Sequence, residues 1–248
     1  MSKTQEKAIF DYLSKKQFAE VEEIAKALNV SPSTVRRKLT ALQTRGLVIR
    51  KHGGAYIADV NEYFPSFTFR AHQNSLEKKK IALQAIKLIK NGDLIFLDGS
   101  TSSYYIAEYL SEFNDLRVVT NGIDTLSLLA KNNVTAYSTG GRISNTNRSV
   151  LVGDKAIADV CAYHADIAFF SASAIQQNGE IYDCFEEENV IRRYMIQNTN
   201  KKVMLCDNTK FGKTGQFRLC SIKDIDYLVC DEDKRDYFDC ENLPEIIF

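Results

Sequence analysis

The chain has 248 residues, of which 44% are apolar and 26% are charged, and its formal net charge is zero. These proportions are typical of a globular protein with a good core and exclude a chain too polar to fold. The length exceeds the usual ~100–200 residues of one domain, so we expect two domains.

Neither secretion nor a membrane partner is indicated. The longest apolar runs are far shorter than the ~20 residues of a membrane helix. The first seven residues, Met-Ser-Lys-Thr-Gln-Glu-Lys, lack the apolar stretch of a signal peptide. No two of the six cysteines form the Cys-x-x-Cys unit of common zinc sites. We therefore expect a cytoplasmic protein with free thiols, no metal site and no cofactor.

Charge is distributed unevenly along the chain. Residues 1–57 hold eleven lysines and arginines against five acidic residues, a net charge of +6, and the remainder carries −6. Residues 24–58 contain seven basic residues and no acidic one. This asymmetry predicts a basic nucleic-acid-binding module joined to an acidic remainder.

Three short helices, each with one apolar face, are predicted in the basic module. The first covers residues 3–14, and the second runs from Val21 to Leu28. Ser31 and Pro32 open the third in the preferred way, with serine as the N-cap and proline at the first helical position. Its buried stripe is formed by Val35, Leu39 and Leu42.

The second and third helices, joined by a tight turn, describe a helix-turn-helix whose last helix is polar and basic on its outer face. Arg37 lies almost opposite the buried stripe, so we predict that it contacts a base edge, most commonly guanine. Arg36 and Lys38 lie on the flanks, where they suit phosphates. The alternative is an ordinary solvated basic face.

A two-stranded wing is predicted after this helix, with its turn near residues 52–54. Arg50 and Lys51 would be available to the DNA backbone there. The complete set of predicted DNA contacts is Ser31, Ser33, Thr34, Arg36, Arg37, Lys38, Thr40, Arg50, Lys51 and His52.

Two runs in the basic module have a distinctive residue order. Ser31 to Leu39 reads Ser-Pro-Ser-Thr-Val-Arg-Arg-Lys-Leu, and Arg50 to Ala55 reads Arg-Lys-His-Gly-Gly-Ala. The first is similar to Ser-x-x-Thr-[Ile/Val]-Arg-Arg-Asp-Leu and the second to Arg-x-His-Gly-Gly-Ala of the DeoR family of bacterial transcriptional repressors. Lys38 stands where the family usually has Asp, and Gln43 where Glu is common. The resemblance implies operator DNA as a partner, and both departures make the helix more basic.

Residues 58–72 are predicted to be a linker, because polar and aromatic residues mix around Pro65. Three phenylalanines make it too apolar for a free tether, so we expect packing on the second domain or on a partner subunit. They are Phe64, Phe67 and Phe69. An amphipathic helix from Glu77 to Lys90 follows.

Strand-like runs alternate with helical ones from residue 93 onward. The predicted strands are Leu94–Leu97, Arg117–Thr120, Val134–Ser138, Ile167–Ser171, Val203–Cys206 and Tyr227–Cys230. Helices are predicted near 124–131, 156–163 and 186–198. Such alternation predicts a mostly parallel α/β sheet.

The loop from Asp98 to Ser103 joins a predicted strand to a helix, which is the geometry of a phosphate cradle. Its backbone N–H groups and the helix dipole would converge on one point, and Gly99 would let a ligand approach closely. The alternative is a helix N-cap with spare serines. Because ligands bind at the carboxyl ends of strands in open α/β sheets, the other strand ends are expected to face the same crevice, where Arg142 and Lys210 add positive charge.

The predicted ligand contacts are Asp98, Gly99, Ser100, Thr101, Ser102, Ser103, Thr120, Asn121, Gly122, Gly140, Gly141, Arg142, Glu186 and Lys210. Glu186 to Glu188 begin a helix, where carboxylates favour the dipole; alternatively, Glu186 or Glu188 accepts hydroxyl groups of a sugar. Arg192 and Arg193 are expected to pair with these acids on the helix surface or at a subunit contact.

Motifs of the second half also resemble the DeoR family. Asp98-Gly-Ser-Thr-Ser is similar to its Asp-x-Gly-[Thr/Ser]-Thr loop, allowing a shift of one, and Asp207-x-x-Lys-Phe-Gly to its Asp-x-Ser-Lys-Phe-Gly. Val119-Thr-Asn-Gly and Gly140-Gly-Arg also have counterparts. The resemblance implies a Rossmann-like sensor domain of the ribose-5-phosphate isomerase and CoA-transferase type, which usually binds a phosphorylated sugar. The stretch from Ala168 to Ala174 departs from the family's Gly-Ala-x-Gly.

An isomerase-like fold raises an alternative, a sugar-phosphate isomerase or deaminase-like enzyme fused to a nucleic-acid-binding module. Isomerisation needs a general base, usually a carboxylate. The matching stretch, Ser171 to Ser173, contains none. We therefore predict no catalytic residues and no enzymatic activity.

Together these features predict an α/β protein with three parts. Residues 1–57 form a winged helix-turn-helix domain, 58–72 a linker and 73–248 a sugar-phosphate-binding domain. The expected function is repression of a sugar-metabolism operon, modulated by a phosphorylated sugar; the sequence does not separate a repressor from an activator. Double-stranded operator DNA, a small phosphorylated sugar and further copies of the chain, as a dimer or tetramer, are the expected partners.

Overall fold

A computed structural model describes residues 2–16, 18–45, 47–51, 53–57 and 65–248. The chain divides into two compact units, Met1–Gln73 and Asn74–Phe248. The predicted wing residue His52 and the predicted linker residue Phe64 lie outside the described residues.

The first unit combines helices with a small antiparallel sheet. Its described helices are α1 (Ser2–Lys16), α2 (Val21–Ala27), α3 (Pro32–Thr44) and α4 (Phe67–His72). Its described strands are β1 (Phe18–Glu20), β2 (Val48–Lys51) and β3 (Gly54–Ile57), in the order β1-β3-β2. The helix-turn-helix and the β2–β3 wing therefore form as predicted. Strand β1 is an addition, since three residues are too few to show a strand period.

Local chemistry explains why α3 begins where it does. The Ser31 hydroxyl accepts a hydrogen bond from the Thr34 N–H at 3.2 Å and caps the helix, and Pro32 follows at the first helical position. Val35, Leu39 and Leu42 are buried, as their spacing predicts. The capped end and the buried stripe together orient the outer face of α3.

The predicted linker is partly helical. Residues 67–72 form α4, and Phe69 is buried in the core of the first unit, where its ring lies 5.4 Å from that of Phe10. The expectation that Phe69 packs on the second domain or on a partner subunit is therefore wrong, because α1 supplies its apolar contact.

The second unit alternates strands and helices. Its strands are β4 (Leu94–Leu97), β5 (Arg117–Thr120), β6 (Thr135–Ser138), β7 (Arg142–Ile143), β8 (Leu151–Val152), β9 (Ala165–Phe170), β10 (Ala174–Ile175), β11 (Glu180–Asp183), β12 (Thr199–Cys206), β13 (Phe217–Ser221), β14 (Tyr227–Cys230) and β15 (Glu245–Ile247). Its helices are α5 (Ser75–Ala85), α6 (Thr101–Ala107), α7 (Ile123–Lys131), α8 (Asp154–Cys161) and α9 (Glu186–Gln197).

Within residues 74–248, all of which are described, seven strands form one parallel sheet in the order β15-β14-β12-β9-β4-β5-β6. The chain starts at β4 in the middle, adds β5 and β6 on one side, and then returns to add β9 on the other. The strand order therefore reverses between β4 and β9. In open α/β sheets the ligand crevice lies at such a switch point, at the carboxyl ends of the strands.

Shorter strands complete the unit. Strands β10, β11 and β13 form an antiparallel sheet, and β7 pairs with β8. Neither was predicted, because these strands are brief and their sequences do not alternate clearly. Among the described residues, no helix is both long enough and apolar enough to cross a membrane.

Candidate nucleic-acid interface and ligand crevice

The outer face of α3 carries an exposed arginine that makes no hydrogen bond or ion pair within the described part of the first unit. Arg37 is exposed and makes no hydrogen bond or ion pair with any residue that the structure describes. At the start of the helix, the Ser31 hydroxyl lies 2.9 Å from those of Ser33 and Thr34. This arrangement leaves the Arg37 guanidinium available to a ligand outside the protein.

The wing is joined to the same face. The Arg50 guanidinium donates a hydrogen bond of 2.9 Å to the Thr40 hydroxyl, which links β2 to α3. Arg36 lies 3.1 Å from Glu22 in an exposed ion pair, which costs little to break in favour of a phosphate. The backbone of Lys51 ends β2, but its side chain and His52 lie outside the described positions.

Lys38 lies on a different face, so the prediction that it contacts a phosphate is wrong. The residue is only 6% exposed, and its ammonium lies 3.0 Å from the Glu6 carboxylate of α1. The other Glu6 oxygen lies 3.3 Å from Arg45. A buried ammonium requires such a partner, because an unpaired buried charge is costly.

Replacing Lys38 with methionine is expected to leave both the DNA affinity and its salt dependence unchanged within about twofold, because this ammonium faces Glu6 and not a phosphate. Anisotropy titrations of a labelled duplex at several salt concentrations measure both quantities. Arg36→Ala is the matched control and should make the salt slope shallower by about one. If Lys38→Met made the salt slope as shallow as Arg36→Ala does, Lys38 would contact a phosphate after all.

In the second unit, Asp98 lies beneath the predicted phosphate loop and is fully buried. Its Oδ1 accepts hydrogen bonds from the Ser100 N–H at 3.2 Å and the Ser103 hydroxyl at 2.6 Å. Its Oδ2 accepts from the Ser171 N–H at 3.2 Å and from Arg192 Nε at 2.8 Å. Both oxygens are thus occupied within the protein, and Asp98 shapes the loop from below.

Arg192, which was expected on the helix surface or at a subunit contact, is instead the centre of a buried ionic cluster. It is 5% exposed and contacts three carboxylates, those of Asp98 at 2.8 Å, Asp183 at 2.5 Å and Glu188 at 3.0 Å. Burial alone would lower the pKa of Arg192, but Asp183, Asp98 and Glu188 outweigh it and hold the pKa well above its ordinary value. Arg193, by contrast, pairs with Glu186 at 2.9 Å near the surface.

Gly99 provides room for the protein's own packing. A Cβ atom at Gly99 would collide with the side chain of Val150, and one at Gly122 would lie 3.0 Å from the Gly99 Cα. Packing therefore explains Gly99, and close approach of a ligand there remains a prediction. The two glycines let the loops after β4 and β5 touch, which fixes the floor of the crevice.

Buried polar atoms without partners gather at these two loops. Among the described residues, the Ser102 hydroxyl, Asn121 Oδ1 and the Thr125 hydroxyl are buried and make no hydrogen bond. Thr125 was not predicted as a site residue, because it lies within a helix and follows no strand directly. Buried polar atoms are nearly always paired, so three unpaired ones in adjacent segments indicate a polar ligand.

A positive charge stands at the carboxyl end of β12. The Lys210 ammonium contacts the Ser171 hydroxyl and lies 3.8 Å from Asp207 Oδ2. Burial alone would raise the pKa of Asp207, but Lys210 and the hydrogen bonds from Thr209 hold this pKa below its ordinary value. Through Ser171, whose N–H binds Asp98, the lysine is connected to the phosphate loop.

Several other predicted ligand contacts bind residues of the protein itself or turn its chain. The Thr120 hydroxyl accepts from the Gly122 N–H at 3.0 Å, and Arg142 is ion-paired with Glu187. Gly140 and Gly141 have φ angles of +60° and +94° and turn the chain against α8 and β8. Direct ligand contact by these residues and by Glu186 remains a prediction.

Models of two known domains match this chain. That of the DeoR-like helix-turn-helix domain matches residues 6–60, and that of the DeoR C terminal sensor domain matches residues 73–232. These matches, with the observed sheet, confirm the predicted fold class.

Several known proteins are similar over most of their length. The HTH-type transcriptional repressor GlcR of Bacillus subtilis is 33% identical over 90% of this chain and 86% of its own. The HTH-type transcriptional regulator GolR of Listeria innocua is 35% identical over 85% of this chain and 83% of its own. The glycerol-3-phosphate regulon repressor of Escherichia coli is 26% identical over 90% and 88%. Among solved structures, ribose 5-phosphate isomerase from Plasmodium falciparum matches with a TM-score of 0.42 and 16% identity, covering 57% of this chain and 55% of its own.

Proposed function

Because this chain belongs to the DeoR family of transcriptional regulators, we propose that it represses a sugar-metabolism operon in the cytoplasm and that a phosphorylated sugar modulates this repression. The chain is a DNA-binding regulator and not an enzyme. The proposal adds the operator contacts, the class of effector and the residues that bind it.

The operator contacts are supported by the exposed Arg37 on α3, which has no partner among the described residues and lies at the position that a recognition helix presents to the major groove. The Ser33 hydroxyl and Arg50 lie on the same side and supply contacts to the backbone. A homo-oligomer would bind two half-sites one helical turn apart, and its affinity would fall steeply with salt.

One observation carries the effector assignment, namely the three buried polar atoms without partners beside a loop with free N–H groups. Thr101 and Ser102 occupy the first turn of α6, where N–H groups lack partners within the helix. These groups and Lys210 suit a phosphate, while Ser102, Asn121 and Thr125 suit the hydroxyl groups of a sugar.

The same crevice is poorly suited to isomerase activity, which needs an available general base. Three buried carboxylates, those of Asp98, Asp183 and Glu188, contact Arg192, and a fourth, that of Asp207, lies beside Lys210. The oxygens of the first three already accept hydrogen bonds within the protein, so none of them is free to act as a general base. We therefore expect no turnover of aldose or ketose phosphates, even at high protein concentration.

A sugar phosphate that binds the second unit should raise its thermal stability, by about 2.7 kcal/mol at a hundredfold excess over Kd. The test is a thermal-shift screen of ribose 5-phosphate, glucose 6-phosphate, fructose 1-phosphate and fructose 6-phosphate. Thr101→Asp should abolish the shift through repulsion of the phosphate but spare DNA binding, and exposed Lys131→Gln is the charge-matched control. Equal shifts in Thr101→Asp and the unmodified protein would contradict the phosphate assignment.

A further inference from the structure

The second unit begins with a residue in a strained backbone conformation. Asn74 has φ +51° and ψ +38°, in the left-handed region that asparagine tolerates better than other residues with a Cβ. It occupies the N-cap position of α5 but, among the described residues, its side chain makes no capping bond. Such strain persists only where the surroundings impose it.

The side chain of Asn74 is held by a segment far away in sequence. Its amide donates hydrogen bonds to Asp207 Oδ1 at 3.2 Å and to the Thr209 hydroxyl at 3.1 Å, more than 130 residues along the chain. Asp207 is 2% exposed and directly follows β12. The backbone at the first residue of this unit is thus fixed by a buried carboxylate.

Asp207 interacts with three residues at once, and the positive charge of Lys78 also lowers its pKa. Its Oδ1 accepts from Asn74 and Thr209, while its Oδ2 lies 3.8 Å from the ammonium of Lys210. Lys210 in turn contacts the Ser171 hydroxyl, and the Ser171 N–H binds Asp98 below the phosphate loop. A continuous set of polar contacts therefore runs from the loop to Asn74.

We propose that Asn74 is a positioning residue of the effector crevice, which ties occupancy of that crevice by a sugar phosphate to the backbone at the start of the second unit. This inference rests on the proposed function. A phosphate at Lys210 draws the ammonium away from Asp207. The buried carboxylate then depends more on the Asn74 amide and Thr209, and Asn74 is held more firmly in its left-handed conformation.

The consequence is a coupling between two ligands. Asn74 follows Gln73, the last residue of the first unit, so the two ligand-binding units are covalently joined through this backbone. If the occupied and empty crevices hold Asn74 differently, the phosphosugar and the DNA alter each other's affinity by the same factor.

The test measures that factor in the full chain. DNA affinity is determined by anisotropy, with a duplex selected from a random pool by the unmodified protein, in the presence and absence of whichever of the four phosphosugars gives the largest thermal shift. Asn74→Gly keeps the left-handed backbone but removes the amide. Asn133→Gly is the matched control, because Asn133 is also left-handed, at φ +55°, and exposed.

We expect the phosphosugar to change DNA affinity about tenfold in the unmodified protein and in Asn133→Gly, but less than about twofold in Asn74→Gly. The affinity of Asn74→Gly for each ligand is measured separately, so that a loss of coupling is distinguished from a loss of binding. Asn74→Asp, which repels Asp207, should lose the coupling as well.

Three results would overturn the inference. Full coupling in Asn74→Gly would show that the amide is not needed. A parallel loss of thermal stability and of both separate affinities would reduce Asn74 to a structural role. If no phosphosugar binds the unmodified protein or changes its DNA affinity, the proposed function itself fails, and the inference fails with it.

Discussion

Replacing Arg37 with alanine should weaken sequence-specific DNA binding about a hundredfold while leaving the fold and the second unit intact. Arg37 is exposed, and its loss removes no hydrogen bond or ion pair among the described residues. A bidentate contact to guanine discriminates by ~1–3 kcal/mol. Together with the lost attraction to the phosphates, we expect a loss of about 3 kcal/mol in binding free energy, which is a roughly hundredfold weaker complex.

Footprinting and anisotropy titration test this expectation, and thermal denaturation confirms that the variant is folded. Arg36→Ala is the matched control, since it removes the same charge from the neighbouring position. It should weaken binding several-fold and to a similar degree for all sequences, because a phosphate contact carries no sequence information. An Arg37→Ala variant that protects the same operator at the same concentration would refute the assignment of Arg37.

Elements defined by local patterns were predicted well. The bounds of β4, β5 and β14 agree with their apolar runs, and Ser31 caps α3 as its position before Pro32 predicts. In each case a few neighbouring residues determine the element, through their hydrophobic periodicity or through a helix cap. The location of the crevice follows as well, because parallel strands bring their carboxyl ends to one edge.

Contacts between distant residues could not be predicted in this way. The local pattern assigns Lys38 to a basic face, but its ammonium binds Glu6, 32 residues away. Arg192 has the spacing of a surface ion pair with Glu188, but Asp98, 94 residues away, draws it into the interior. No local period encodes these pairs, since they arise from the packing of α3 on α1 and of α9 beside the β4 loop.

Replacing Arg192 with methionine should destabilise the second unit more than any other change considered for it. The buried cluster contains one guanidinium and three carboxylates, so the variant retains three carboxylates without the charge that compensates them. Removal of one partner from a buried ion pair costs ~3–5 kcal/mol. For a unit of this size we expect the melting temperature to fall by about 10 °C.

The pH dependence separates lost charge from lost packing. In Arg192→Met, protonation of the folded state relieves the repulsion within the cluster, so the folded variant binds protons more readily than the unfolded variant does. The stability of the variant, relative to that of the unmodified protein, therefore rises as the pH falls. The gap in melting temperature should therefore narrow between pH 7.5 and pH 5.5. Scanning calorimetry at both values measures it. Arg193→Met, which removes an exposed pair with Glu186, is the control and should cost about 1 kcal/mol or less at either pH.

The same variant tests whether the cluster supports the phosphate loop. Arg192 Nε is one of four donors to Asp98, and Asp98 in turn holds Ser100 and Ser103 at the start of α6. Arg192→Lys keeps the charge but loses the planar guanidinium. Compared with Arg192→Met, it should therefore restore part of the stability and a smaller part of the phosphosugar affinity. If Arg192→Met binds phosphosugars normally below its melting temperature, the loop is held by its own hydrogen bonds. If affinity and stability fall together and Arg192→Lys restores stability first, the buried arginine sets the geometry of the crevice.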